Sequence, residues 1–270
     1  MNMFCVKDKV VVITGGYGVL GASMARCLAE HGAHVAIIGR KAERGETLAA
    51  ELSALGAEAI FCKADVLDKE ALTAARETIV AKWRAIDVLI NAAGGNMPGA
   101  TIMPDQNFLD IDFASFGGVI NLNLMGTVIP TVIFGEQMAA QKSGSIINIS
   151  SMTAQRVVTR VVGYSASKSA IDNFTRWMAV EMAKKVGEGV RVNAIAPGFF
   201  LTEQNRTLMT NPDGSLSDRA KDVVRVTPFG RLGRAEELHG AVLFFASEAS
   251  RFVTGAVLPV DGGFSIFSGV

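Results

Sequence analysis

The segment INISSMTAQRVVTRVVGYSASKSA, residues 147–170, carries the residue types that move a proton to or from an oxygen. Tyr164 and Lys168 are four apart, so on a helix they share one face. Ser151 lies thirteen residues before Tyr164, and Asn123 stands upstream in NLNLMG. A carbonyl that accepts a hydride develops an alkoxide and needs a proton donor held close by. Tyrosine can serve, although a free phenol titrates near pH ~10. Bringing it to neutrality takes about 4 kcal/mol of preferential phenolate stabilisation. A lysine ammonium one helical turn away is expected to supply part of that. Ser151 would hydrogen-bond and orient the substrate oxygen. Asn123 would hold a water that links Lys168 to solvent. Taken alone, a Tyr-x-x-x-Lys spacing also arises by chance as a helix-surface pair.

The stretch VVVITGGYGVLG, residues 10–21, makes chance less credible. Val10–Ile13 is a β-branched strand pattern, and helical spacing follows from about Val19 to His31. Between them, Gly16, Gly18 and Gly21 spell G-x-G-x-x-G. Thr14, Gly15 and Gly21 also fit T-G-x-x-x-G-x-G, with Val19 in place of the middle glycine. A strand that turns into a helix N-terminus offers backbone N–H groups and a favourable dipole to a pyrophosphate. Gly15, Gly16, Tyr17, Gly18, Val19, Leu20 and Gly21 are therefore the expected cradle of a dinucleotide. An acid at the end of the second strand would hold the ribose of NAD, whereas an arginine suits the extra phosphate of NADP. Here the order is Ile37-Ile38-Gly39-Arg40-Lys41, so NADP(H) is favoured, with NAD(H) still possible. Asp65 and Val66 follow the third strand and suit an adenine. Asn91, Ala92, Ala93 and Gly94 follow the fourth and suit a ribose.

The elements that must position these residues alternate along the chain. Strand patterns at Val35–Ile38, Ala59–Cys62, Val88–Ile90, Ile146–Ile149, Val190–Ala194 and Val257–Val260 are separated by helical ones, such as residues 44–55, 69–83 and 164–185. Repeated βα units predict an α/β, Rossmann-type, doubly wound parallel sheet with helices on both faces. No linker divides the 270 residues, and one domain is expected. Lys+Arg and Asp+Glu are both 26, which gives no reason to expect a nucleic acid or an anionic membrane as partner. No apolar run reaches 18 residues, and no signal peptide is visible. Cys5, Cys27 and Cys62 form no paired motif, which fits a reducing, cytoplasmic setting. His31, His34 and His239 form no ligand pair, and no metal is expected.

Together these features resemble the single-domain short-chain dehydrogenase/reductase family, over the whole chain. The resemblance implies about seven parallel strands and a tetrad of Asn123, Ser151, Tyr164 and Lys168. It also implies Pro197, Gly198, Phe200 and Thr202 near the nicotinamide, and a homotetramer or homodimer. Within the family, TGGYGVLG, AAGGNMPGAT, PGFFLTEQNR, NPDGSLSDR and TPFGRLG are most similar to the D-mannonate oxidoreductase (fructuronate reductase) subgroup. That subgroup shares Gly-Val-Leu-Gly, so Val19 is a marker of it. Ala92 stands where the family's usual motif has asparagine.

A sugar acid requires a cation and several amides or hydroxyls. Arg156 and Arg160 lie between Ser151 and Tyr164, Asn205 and Arg206 follow Pro197-Gly198, and Asn96 follows Gly94-Gly95. These are the expected substrate residues, Arg156 and Arg206 first. Each arginine has a plain alternative as a surface ion pair. A lid is expected over about 198–230, around the turn cluster Asn211-Pro212-Asp213-Gly214-Ser215. In the helix after Tyr164, Ile171, Phe174, Met178 and Met182 should face the sheet, leaving Trp177 and Val180 for a subunit contact. The alternatives are gluconate 5-dehydrogenase or 3-oxoacyl-carrier-protein reductase chemistry, or a catalytically silent dinucleotide sensor. An open apolar channel would favour the acyl substrate.

Overall fold

The β-branched runs do form strands, and a computed structural model describes residues 2–203 and 205–270. In chain order the first half runs β1 (Val10–Thr14), α1 (Val19–Glu30), β2 (His34–Gly39), α2 (Ala42–Ala54), β3 (Ala59–Lys63), α3 (Lys69–Trp83) and β4 (Val88–Asn91). The second half runs α4 (Phe113–Ile120), α5 (Gly126–Gln141), β5 (Gly144–Ile149), α6 (Val162–Lys185), β6 (Val190–Pro197), α7 (Arg206–Met209), α8 (Asp218–Arg225), α9 (His239–Ala246) and β7 (Val257–Val260). The strands form one seven-stranded sheet in the order β3-β2-β1-β4-β5-β6-β7, and every pairing is parallel. The chain reverses direction of winding between β1 and β4. In such sheets the crevice beyond the strand ends at that point takes the ligand.

The period of two along each strand divides the core into two layers. Val11 and Ile13 of β1 pack with Leu28 of α1, Leu52 of α2 and Phe245 of α9. Val10 and Val12 face the other way, towards Leu72 and Ile79 of α3 and Phe134 and Met138 of α5. Each fully buried side chain of this size contributes about 1.5–3 kcal/mol. In α6, Ile171 and Met178 are buried with Phe174 and Met182 packed beside them, as the stripe predicts. Trp177 and Val180 stay exposed.

Residues 113–141 form a helical run as long and apolar as a membrane span. Its Phe134 and Met138 are fully buried against the sheet, while Phe113 and Val132 are exposed. The run is not one continuous α-helix. Between α4 and α5, residues Asn121–Met125 form a π turn, in which the Gly126 N–H reaches back five residues to the Asn121 carbonyl. Four residues on, Pro130 has no N–H to offer the Gly126 carbonyl. The segment expected as a lid has structure of its own among its described residues. It carries α7 and α8, an antiparallel bridge between Thr210 and Leu216, and a small core of Met209, Ala220 and Val223.

Candidate active site

The glycine turn is shaped by backbone contact as well as by what it must bind. Gly15 has φ +63°, and a Cβ there would lie 2.8 Å from Ala93 Cα. A Cβ at Gly21 would lie 2.6 Å from the Gly15 carbonyl oxygen. Thr14 adds a second tie, its Oγ1 accepting from Ala93 N at 3.2 Å. Gly18 is different. A Cβ there would meet only Gly15 O, at 3.3 Å, so the protein itself leaves room. Gly18 is the N-cap of α1, and no side chain caps that helix. The first-turn N–H groups are thus open to an anion. This uncapped end, behind the Gly15 turn, fits a dinucleotide pyrophosphate. Val19 sits as the first helical residue, outside the tight part of the turn.

Tyr17 closes the turn towards β2. Its hydroxyl accepts from Arg40 N at 3.0 Å and Lys41 N at 3.1 Å. Arg40 extends to Asp65, with Nη1 to Oδ2 at 3.5 Å, and its side chain is largely exposed. The expectation at Asn91 concerns its backbone beside a ribose, and its side chain has a structural use. It is buried and its Nδ2 donates to Thr131 Oγ1 at 2.9 Å and Asn148 Oδ1 at 2.8 Å. Asn148 in turn donates to Thr175 Oγ1 at 2.9 Å. Asn91 therefore joins β4 to β5, α5 and α6, a buried polar chain that only hydrogen bonding makes tolerable.

The catalytic candidates do converge. Ser151 and Tyr164 line one cavity of about 510 Å³, beside Pro197, Gly198, Phe200 and Thr202. Lys168 is buried, and its Nζ donates to the Ile149 carbonyl at 2.6 Å. It lies 5.4 Å from the centroid of the Tyr164 ring, over the ring face. Burial brings the Lys168 ammonium down to about 8, with Asp172 acting against that. Asp172 accepts from Ser150 Oγ, and burial pushes its carboxyl up. The Tyr164 phenol is also pushed up by burial, with the Ser151 hydroxyl opposing. The lowering expected from Lys168 concerns the dinucleotide-bound enzyme, where the oxidised nicotinamide adds a second positive charge beside the phenolate.

Asn123 is tied to the loop after β4. Its Oδ1 accepts from Gly95 N at 3.0 Å, while Nδ2 donates to Gly95 O at 2.6 Å and Val119 O at 2.8 Å. It fixes the loop after β4 to the π turn. A Cβ at Gly94 would lie 2.6 Å from Asn123 Oδ1, which explains glycine there.

On the substrate side, Asn96 and Asn205 line the cavity and three expected arginines do not. Arg156 turns to the C-terminal segment, its Nη2 donating to Phe267 O at 2.8 Å. Arg206 is exposed. Arg160 lies near Arg219 but outside the lining, with its carbonyl accepting from Ile102 N at 3.0 Å. The Asn205 amide is used locally, by Thr202 N at 2.8 Å and Phe200 O at 2.8 Å. Thr153 and Arg219 line the cavity and were not expected. Arg219 is the last residue of NPDGSLSDR. That segment signals the subgroup, but nothing local shows that its arginine folds back.

Comparison with known proteins agrees with this geometry. The sequence profile described as enoyl-(acyl carrier protein) reductase matches residues 18–265. The chain is 46% identical to the uncharacterized oxidoreductase UxuB of Bacillus subtilis (strain 168), over 98% of both chains. A Haemophilus influenza structure with bound NAD, provisionally assigned as a D-mannonate oxidoreductase, is 40% identical with a TM-score of 0.91 over 100% of both chains. Gluconate 5-dehydrogenase from Burkholderia cenocepacia J2315, in complex with NADP and tartrate, is 32% identical with a TM-score of 0.85 over 98% of both. The chain belongs to the short-chain dehydrogenase/reductase family and is an NAD(P)-dependent oxidoreductase.

Proposed function

We propose that the protein interconverts a sugar-acid ketone and its alcohol, with D-fructuronate and D-mannonate as the pair. The observation that carries this reading is polar. Asn96, Thr101, Thr153, Thr202, Asn205 and Arg219 line the cavity together with Ser151 and Tyr164. Amides, hydroxyls and one cation are the groups that a polyhydroxylated acid needs. The Haemophilus and Burkholderia relatives support acids of this class.

The dinucleotide, when bound, supplies or accepts the hydride. Tyr164 gives its phenolic proton to the carbonyl oxygen in reduction and takes it back in oxidation. Ser151 holds that oxygen in line with it. Lys168 has two N–H groups beyond its bond to Ile149 and puts positive charge over the Tyr164 ring, favouring phenolate. Asn123 is a positioning residue, since it holds Gly95 and the π turn. The segment 198–230 is read as a lid that excludes water. NADP(H) is the favoured cofactor. Arg40 is tied to Asp65 by one long, exposed ion pair, weak enough to yield to a 2′-phosphate.

One observation favours a second reading. Met97, Met103, Met152, Val158, Phe199 and Leu208 give the cavity apolar walls suited to an acyl chain. A spectrophotometric panel with NADPH and NADH over uronates, aldonates, neutral ketoses and 3-oxoacyl thioesters separates the two. Preferential turnover of uronates supports the first reading, and preference for acyl thioesters overturns it. A lower KM for NADH than for NADPH overturns the cofactor assignment.

A further inference from the structure

The cavity that holds Ser151 and Tyr164 has one charged side chain among its described lining residues, Arg219. Its position is fixed. Nη1 donates to Thr159 Oγ1 at 3.3 Å, and Nη2 donates to the Thr159 carbonyl at 3.1 Å. The loop carrying Thr159 is itself held, because Arg160 O accepts from Ile102 N at 3.0 Å. Arg160 adopts φ +78°, a strained conformation for a residue with a side chain, and so marks a loop constrained by its surroundings.

Both partners of Arg219 on Thr159 are neutral oxygens, so its charge is not cancelled there. It forms no ion pair among the described residues, and Asp222 on the same helix is paired with Arg225 at 3.9 Å. Burial, together with the positive charge of Arg160, lowers the Arg219 pKa from its ordinary value, with Asp222 acting against both. A guanidinium has five N–H groups, and two are used here. A half-buried, positively charged fork with free donors, facing a substrate cavity without an acid, is built to receive an anion.

We infer that Arg219 selects the substrate by its carboxylate: the acid end of the sugar pairs with this guanidinium while the carbonyl end lies at Ser151 and Tyr164. This rests on the sugar-acid reading above. It assigns the cation to α8, and not to Arg156 or Arg206. Thr159 is a positioning residue, since it aims the fork without touching substrate.

The test compares D-fructuronate with D-fructose, which differ only in a carboxylate for a hydroxymethyl at one end. For Arg219→Gln, kcat/KM on fructuronate should fall about 10- to 100-fold, mostly through KM, as expected for losing a charge-assisted pair. The loss on fructose should be clearly smaller, so that the fructuronate-to-fructose ratio of kcat/KM falls. Arg219→Lys, which keeps the charge without the fork, should lie between. The Kd of D-mannonate for the oxidised enzyme–dinucleotide complex, by fluorescence, reads the same contact without turnover. Equal losses on fructuronate and fructose would show that Arg219 only staples α8 to the Thr159 loop and would overturn the inference. Unchanged fructuronate kinetics would overturn it as well. If wild type reduces no uronate, the sugar-acid reading fails separately. The charged-to-neutral ratio is then taken on whichever anionic carbonyl compound wild type does reduce, and Arg219 stands or falls on that ratio.

Discussion

Lys168→Met should make folding stability less dependent on alkaline pH. Lys168 titrates near 8 in the fold, down from an ordinary 10.5, because burial penalises its ammonium. A base whose folded pKa is depressed weakens the fold while it stays charged. The cost is complete below about pH 8 and is relieved as pH rises from there to the unfolded value. Two and a half decades correspond to about 3 kcal/mol at pH 7. At pH 9 the same relation leaves about 2 kcal/mol, so wild type should gain about 1 kcal/mol over that interval relative to Lys168→Met. The comparison removes terms that do not depend on pH, including the lost bond to Ile149 O. Cys27 and Cys62, both raised to about 11 by burial, act in the opposite direction but equally in both proteins. Denaturant unfolding at pH 7 and pH 9 measures the difference. Parallel behaviour of the two proteins would refute the argument that Lys168 is strained by desolvation.

Tyr164→Phe should reduce turnover by about 10²- to 10⁴-fold, with dinucleotide affinity unchanged by titration; retained turnover would identify a silent binding role. Gly15→Ala should cost about 1–3 kcal/mol in unfolding experiments and weaken dinucleotide binding, because a Cβ is forced to φ +63° against Ala93. Arg156→Ala should leave the substrate KM unchanged and speed amide exchange in residues 263–268, since its guanidinium holds Phe267 O.

Local chemistry carried far into the structure. The strands, the crevice at β1 and β4, and the convergence of Ser151, Tyr164 and Lys168 follow from periodicity and short-range spacing. What failed depended on direction. Arg156 and Arg206 have the right charge and the right neighbours in sequence, but one bends to the C-terminus and the other to solvent. Arg219 reaches the cavity because α8 folds back over it, a long-range event without a local signature. Only the fold shows how the amides of Asn91 and Asn123 tie neighbouring elements together. Burial depth is likewise not written in a spacing of four, and in the protein by itself it pushes the Tyr164 phenol up.

A π turn is an α-helix with one residue inserted. In this chain the insertion falls at Asn121–Met125 and places Asn123 on Gly95. Removing any single residue there would restore a regular helix between α4 and α5, with better geometry than the natural one. It would also remove the wide turn that seats Asn123 on Gly95. The helix would gain regularity while the asparagine lost its loop. Length, more than identity, is the vulnerable property of this segment: a frame-preserving deletion should be more harmful here than most substitutions, and a scan of one-residue deletions along 113–141 should show it.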